Sequence, residues 1–140
     1  MRIVLSPVLW ATFLTAAPAD EQLGLRVPSG FAAIEVADSA LANDIYRMTL
    51  DPLGRVVVAG RGYIRTLIDD DGDGRTDRSV EFAAGPSDGA MGLLWEGDTL
   101  YVTGDGGLRV YRDRDGNGRA DGPSELIRVM KTGGEHNAHA

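Results

Sequence analysis

The sequence contains no cysteine, only two histidines and few aromatic residues, and it is short of positive charge. The missing thiols exclude a disulfide framework, a Cys-ligated zinc site, a cysteine nucleophile and a Cys-x-x-Cys-His haem attachment. A domain built this way has to rest on its apolar core or on some other cross-link, such as a metal. With 14 Lys and Arg against 21 Asp and Glu the formal charge is −7, which disfavours nucleic acid and anionic membranes as partners. Helix-period patterning is also nearly absent. Short apolar runs are punctuated by 19 glycines, the pattern of strands separated by turns, so the expected class is all-β. There is no Gly-rich phosphate loop, because Gly104-Asp105-Gly106-Gly107 has no helix after it. A Ser-His-Asp set and a basic aromatic patch are missing as well.

One apolar run stands out, residues 3–14, preceded by Arg2 and followed by Ala17-Pro18-Ala19 ahead of Asp20. That order reads as a signal peptide over residues 1–19 and a periplasmic or extracellular mature chain. The alternatives are an uncleaved anchor and a buried N-terminal helix, but the run is short for a membrane span. Removing residues 1–19 takes away a single charge, Arg2, and leaves no expected transmembrane helix. Residues 20–44 form an N-terminal segment with one strand expected at 31–36, after the turn Pro28-Ser29-Gly30.

The most informative stretch is Asp69-Asp70-Asp71-Gly72-Asp73-Gly74-Arg75-Thr76-Asp77. Its form is D-x-D-x-D-G-x-x-D. Carboxylates this close repel one another, and a hard dication that accepts several oxygens relieves the repulsion. Asp69, Asp71, Asp73 and Asp77 are the candidate side-chain ligands, and the Arg75 carbonyl falls where calcium loops use a backbone oxygen. A solvated acidic turn is the competing explanation, since Asp and Gly favour turns without any metal. A second copy, Asp113-Arg114-Asp115-Gly116-Asn117-Gly118-Arg119-Ala120-Asp121, lies 44 residues further on. It nominates Asp113, Asp115, Asn117 and Asp121, with the Arg119 carbonyl, for a second calcium ion. Residues twelve along from each start are Val80 and Ser124, not the Glu of a helical EF-hand, so Asp77 and Asp121 have to close the sites.

The same offset aligns Leu50 with Leu94, Val58 with Val102, Gly60 with Gly104, Arg65 with Arg109 and Glu81 with Glu125. A repeat of this length suits a four-stranded propeller blade. The first unit, 45–88, is expected to hold strands at 46–50, 55–59, 63–68 and 78–82. The second, 89–132, is expected to hold strands at 91–95, 99–103, 108–112 and 124–129. Residues 133–140 are read as the entry to a third, truncated blade. Arg47 and Met91, 44 apart, are expected at equivalent inner-strand entries beside a central channel, and Tyr63, Trp95, Tyr101 and Tyr111 are expected between the blades.

The acidic loops resemble the β-hairpin calcium loops of integrin α-subunit propellers. The longer stretches Pro28-Ser29-Gly30-Phe31, Leu50-Asp51-Pro52-Leu53-Gly54-Arg55-Val56-Val57-Val58-Ala59 and Leu67-Ile68 with the first acidic loop resemble exported propellers called membrane-bound dehydrogenases. These are also known as PVC-type haem-binding proteins and are similar to sorbosone and soluble glucose dehydrogenases. Gly133-Gly134-Glu135-His136-Asn137-Ala138-His139-Ala140 looks like that group's histidine-bearing entry into a blade. The resemblance implies a piece of a larger propeller that oxidises a sugar or another alcohol with a quinone acceptor, pyrroloquinoline quinone in a full-length parent. His136 would be the base and His139 its neighbour toward the axis; for this chain alone, two polar residues in a loose terminal tail are the competing reading. The group's C-terminal haem domain has no counterpart, so no haem is expected here. The other function open at this point is a calcium-stabilised binding or adhesion propeller without chemistry. Two blades alone would expose apolar faces and favour self-association. Both acidic loops join third to fourth strands, so they should lie at the end of the sheets opposite the blade connections and the histidines.

Overall fold

The computed structural model describes residues 23–130 and divides the chain into two units, 1–35 and 36–140. The described part of the first unit, 23–35, carries no strand. Its Pro28-Ser29-Gly30 turn is closed by the Phe31 amide donating to the Pro28 carbonyl at 3.1 Å. The strand expected at 31–36 is absent. Phe31, Ile34 and Val36 are all exposed, and alternation alone cannot make a strand where no partner edge satisfies the backbone.

The second unit holds eight strands in chain order: β1 (Arg47–Leu50), β2 (Val56–Gly60), β3 (Tyr63–Ile68), β4 (Arg78–Ala83), β5 (Gly92–Glu96), β6 (Thr99–Gly104), β7 (Gly107–Arg112) and β8 (Glu125–Val129). They form two four-stranded antiparallel sheets, each a simple meander of consecutive neighbours. All eight expected strands are present, with ends shifted by a residue or so. Among the described residues no helix is long and apolar enough to cross a membrane.

Strand pairing corrects the repeat alignment. Arg47 pairs with Ala59 and Gly92 with Thr103. Ala59 and Thr103 are 44 apart, so β5 matches β1 at an offset of 45. The cause is turn length: three residues separate the paired Asp51 and Arg55, whereas Gly97 and Asp98 alone separate Glu96 from Thr99. Met91 is therefore the counterpart of Tyr46, not of Arg47, and Leu94 is the counterpart of Thr49. One extra residue before β8 likewise makes Val80, not Glu81, the counterpart of Glu125.

The core lies between the sheets. Val57, Ala59, Ile64 and Phe82 of the first sheet meet Leu100, Val102 and Tyr111 of the second, with Trp95 packed against them. Phe82 makes edge-on contacts with Trp95 and Tyr111, at centroid distances of 5.4 and 6.1 Å, the arrangement that ring quadrupoles favour. The other face of the first sheet is covered by residues 37–42, where Ala37 and Ala42 pack with Val56, Val58, Tyr63 and Leu67. Tyr63 thus faces the N-terminal cover, with its hydroxyl donating to the Asn43 carbonyl. Tyr101 pairs with Leu94 and Val110 on the far side of the second sheet. Of the four aromatics expected between the sheets, Trp95 and Tyr111 are there; Tyr63 and Tyr101 are not.

Candidate metal centres

Each acidic loop is a nine-residue excursion tied at its neck. The Asp77 amide donates to the Ile68 carbonyl at 2.9 Å, and Asp121 does the same to Arg112 at 2.8 Å. Inside the first loop, Asp69 accepts from the amides of Gly72 (2.6 Å) and Gly74 (2.9 Å), and Asp77 accepts from Asp70 (2.7 Å). In the second, Asp113 accepts from Asn117 (3.1 Å) and Gly118 (2.9 Å), and Asp121 accepts from Arg114 (3.2 Å). Gly72, Gly74, Gly116 and Gly118 all have positive φ, which a side chain would resist. The repeated sequence therefore folds into a repeated turn.

These turns bring Asp69, Asp71 and Asp77 together, with an oxygen of each within 4.8 Å of the others, and Asp113, Asp115 and Asp121 in the same way. Asp73 does not join the first group. Its Oδ1 accepts the Arg75 amide at 2.7 Å. Asn117 is held alike: its Oδ1 accepts the Arg119 amide at 2.8 Å and its Nδ2 donates to Asp115 at 2.8 Å. The donor set fits a hard cation, since an oxygen that accepts one amide keeps a second lone pair. His136 and His139 lie outside the described residues.

The loops differ in their surroundings. The second reaches across to the first sheet. The Ala120 amide donates to the Phe82 carbonyl (2.9 Å), Thr66 Oγ1 donates to the Gly118 carbonyl (3.3 Å) and Arg55 Nη2 donates to the Gly116 carbonyl (3.2 Å). Asp113 is consequently buried, whereas Asp69 is open to solvent. Burial pushes the Asp113 carboxyl above its ordinary range. The Gly74 amide, ahead of the other loop amides, holds Asp69 below it.

Arg55 was not legible as part of this region. It is fixed by the buried Asp51, whose Oδ2 lies 2.6 Å from its Nε. Asp51 Oδ1 also accepts the amides of Leu53 and Arg55, both at 2.9 Å. Asp51→Ala is expected to cost about 1–3 kcal/mol, because the part-buried Leu53 and Arg55 amides and the Arg55 charge lose their acceptor. Urea unfolding checks the value.

The opposite end of the sheets has a different chemistry. The Gly62 amide donates to Pro86 at 2.8 Å, joining the β2–β3 turn to the connection between the sheets. Asp105, in the β6–β7 turn, exchanges bonds with Asp88: its amide donates to Asp88 Oδ1 at 2.7 Å and its Oδ1 accepts the Asp88 amide at 3.1 Å. Nearby, Arg47 Nε donates to the Met91 carbonyl at 2.7 Å. The connection thus shares an end with the β2–β3 and β6–β7 turns, and the acidic loops share theirs with the β1–β2 and β5–β6 turns, as the meander requires.

The family model that matches this chain describes a domain of unknown function, DUF7133, and spans residues 17–140. The chain belongs to the DUF7133 family. No curated protein and no solved structure matches it. The match covers both sheets and both acidic loops of this DUF7133 chain.

Proposed function

We propose that this chain is the N-terminal part of an exported, calcium-bearing β-propeller of the sugar- and alcohol-dehydrogenase-like kind. The observation that carries the calcium reading is the duplicated convergence of three carboxylates on two turns of the same sequence pattern. The blade reading is supported by the two meanders, which approach through their first strands, β1 and β5. In this reading one ion takes Asp69, Asp71, Asp73 and Asp77 with the Arg75 carbonyl, the other takes Asp113, Asp115, Asn117 and Asp121 with the Arg119 carbonyl, and each ion acts as a structural clamp on a hairpin.

Chemistry belongs to a complete ring, at the end that carries the sheet connections. There His136 would take the proton from a sugar or alcohol hydroxyl, and a quinone, when bound, would accept hydride. The alternative, a binding or adhesion propeller, shares the calcium loops. Dye reduction with sugars and added pyrroloquinoline quinone on a full ring separates the two.

Calorimetric titration of calcium into the purified chain tests the metal reading. Two sites are expected, and no binding at millimolar calcium would sink it. As pH falls, protons should displace calcium first from the second loop, because Asp113 protonates at a higher pH than Asp69. The Asp69→Asn chain retains the second loop and should lose binding at the higher pH; the Asp113→Asn chain should hold calcium further into acid. Export is checked by intact mass from an envelope fraction, where a chain starting at Asp20 is expected.

A further inference from the structure

The second acidic loop is shaped in part by residues of the first sheet. A trans peptide is planar, with its C=O and N–H pointing opposite ways, so a bond at one end fixes the direction of the other. Arg55 Nη2 donates to the Gly116 carbonyl at 3.2 Å, and the N–H of that same peptide, on Asn117, donates to Asp113 at 3.1 Å. Thr66 Oγ1 donates to the Gly118 carbonyl at 3.3 Å, and the N–H of that peptide, on Arg119, donates to the Asn117 side-chain oxygen at 2.8 Å. The Phe82 carbonyl accepts the Ala120 N–H at 2.9 Å, in the peptide whose oxygen is the Arg119 carbonyl. Three loop peptides are thus gripped by the first sheet at one end. At the other end they orient Asp113 and Asn117 and present the Arg119 oxygen.

The first loop has only the last of these supports, the Thr76 amide donating to the Val36 carbonyl at 2.7 Å. Among the described residues no side chain donates to the Gly72 or Gly74 carbonyl, the counterparts of Gly116 and Gly118. Arg55 is itself held for this task. The buried Asp51 carboxylate lies 2.6 Å from its Nε and offsets a guanidinium charge that would otherwise repel a cation in the loop. The guanidinium also packs on Gly118, where a Cβ would come within 3.4 Å of Nη1. We infer that the first sheet positions the second calcium site: Arg55 and Thr66 are positioning residues and not ligands, and ion binding in that loop is coupled to the packing of the two sheets. The coupling is reciprocal, so calcium in the second loop favours packed sheets by the same factor. The first site lacks it. This inference rests on the calcium reading of the loops.

Calorimetric calcium titration of the full chain with one site removed tests it. In the Asp69→Asn background, which isolates the second site, Arg55→Ala is expected to weaken binding about tenfold and Thr66→Val about threefold, for the loss of one charged and one neutral hydrogen bond. In the Asp113→Asn background, which isolates the first site, both substitutions should leave the affinity within about twofold. Valine keeps the shape of the buried Thr66 side chain, so Thr66→Val decides the matter if loss of Arg55 unfolds the chain. Tighter binding in Arg55→Ala would mean that the guanidinium repels the ion. Unchanged binding at the second site in both variants would mean that the loop shapes itself. Either result overturns the inference and leaves the calcium reading standing. Equal weakening at both sites also overturns it, as general damage to the fold. Absence of binding in the unsubstituted chain overturns the calcium reading and this inference with it.

Discussion

Phe82→Ala should remove about 3–5 kcal/mol of stability, the usual cost of deleting a buried aromatic side chain and leaving a cavity. Phe82 is 3% exposed and sits in the bulge between β3 and β4, where it meets both Trp95 and Tyr111. For a domain of this size the loss corresponds to a fall in Tm of more than about 10 °C. Leu94→Ala, on the open face, should stay within about 0.5 kcal/mol in dilute solution. Parallel urea melts measure both. Equal costs for the two would mean that the sheets do not pack through Phe82.

Calcium should stabilise the fold nearly as much. Ligand that binds only the folded state contributes RT ln(1 + [L]/Kd), about 2.7 kcal/mol at a hundredfold excess over Kd. A rise in Tm of about 10–20 °C between chelator and saturating calcium is therefore expected. Asp69→Ala and Asp113→Ala should each abolish part of the rise, and the double variant all of it. Asp113→Ala should also lower the melting temperature in chelator, because the buried Gly118 amide loses its acceptor. A thermal scan insensitive to calcium in the wild-type chain would contradict the clamp role.

The strands were legible because alternation and glycine-rich turns are local signals, and the acidic turns because the bonds their Asp side chains accept inside each loop are local. The register was not. Matching residues at 44 treats all four strands alike, but a three-residue turn facing a two-residue turn slips the first strand by one. Arg47 and Met91 therefore meet as donor and acceptor and not as counterparts. The strand expected at 31–36 failed for lack of a neighbouring edge, which no local pattern can supply. Arg55 was missed because its link to Gly116 spans 61 residues.

The meander also sets an order of events in folding. Every ladder joins strands that follow one another in the chain, so each sheet closes through short loops and can form early. The links between the second acidic loop and the first sheet span 38 to 61 residues. Docking of the sheets therefore comes late, after the hairpins that present its contacts. A side chain that contributes only to docking, such as Phe82 against Trp95, would then act on the rate of escape from the native state much more than on the rate of reaching it. The lifetime of the folded chain would be governed by the seam between the sheets, with the second acidic loop as its latch.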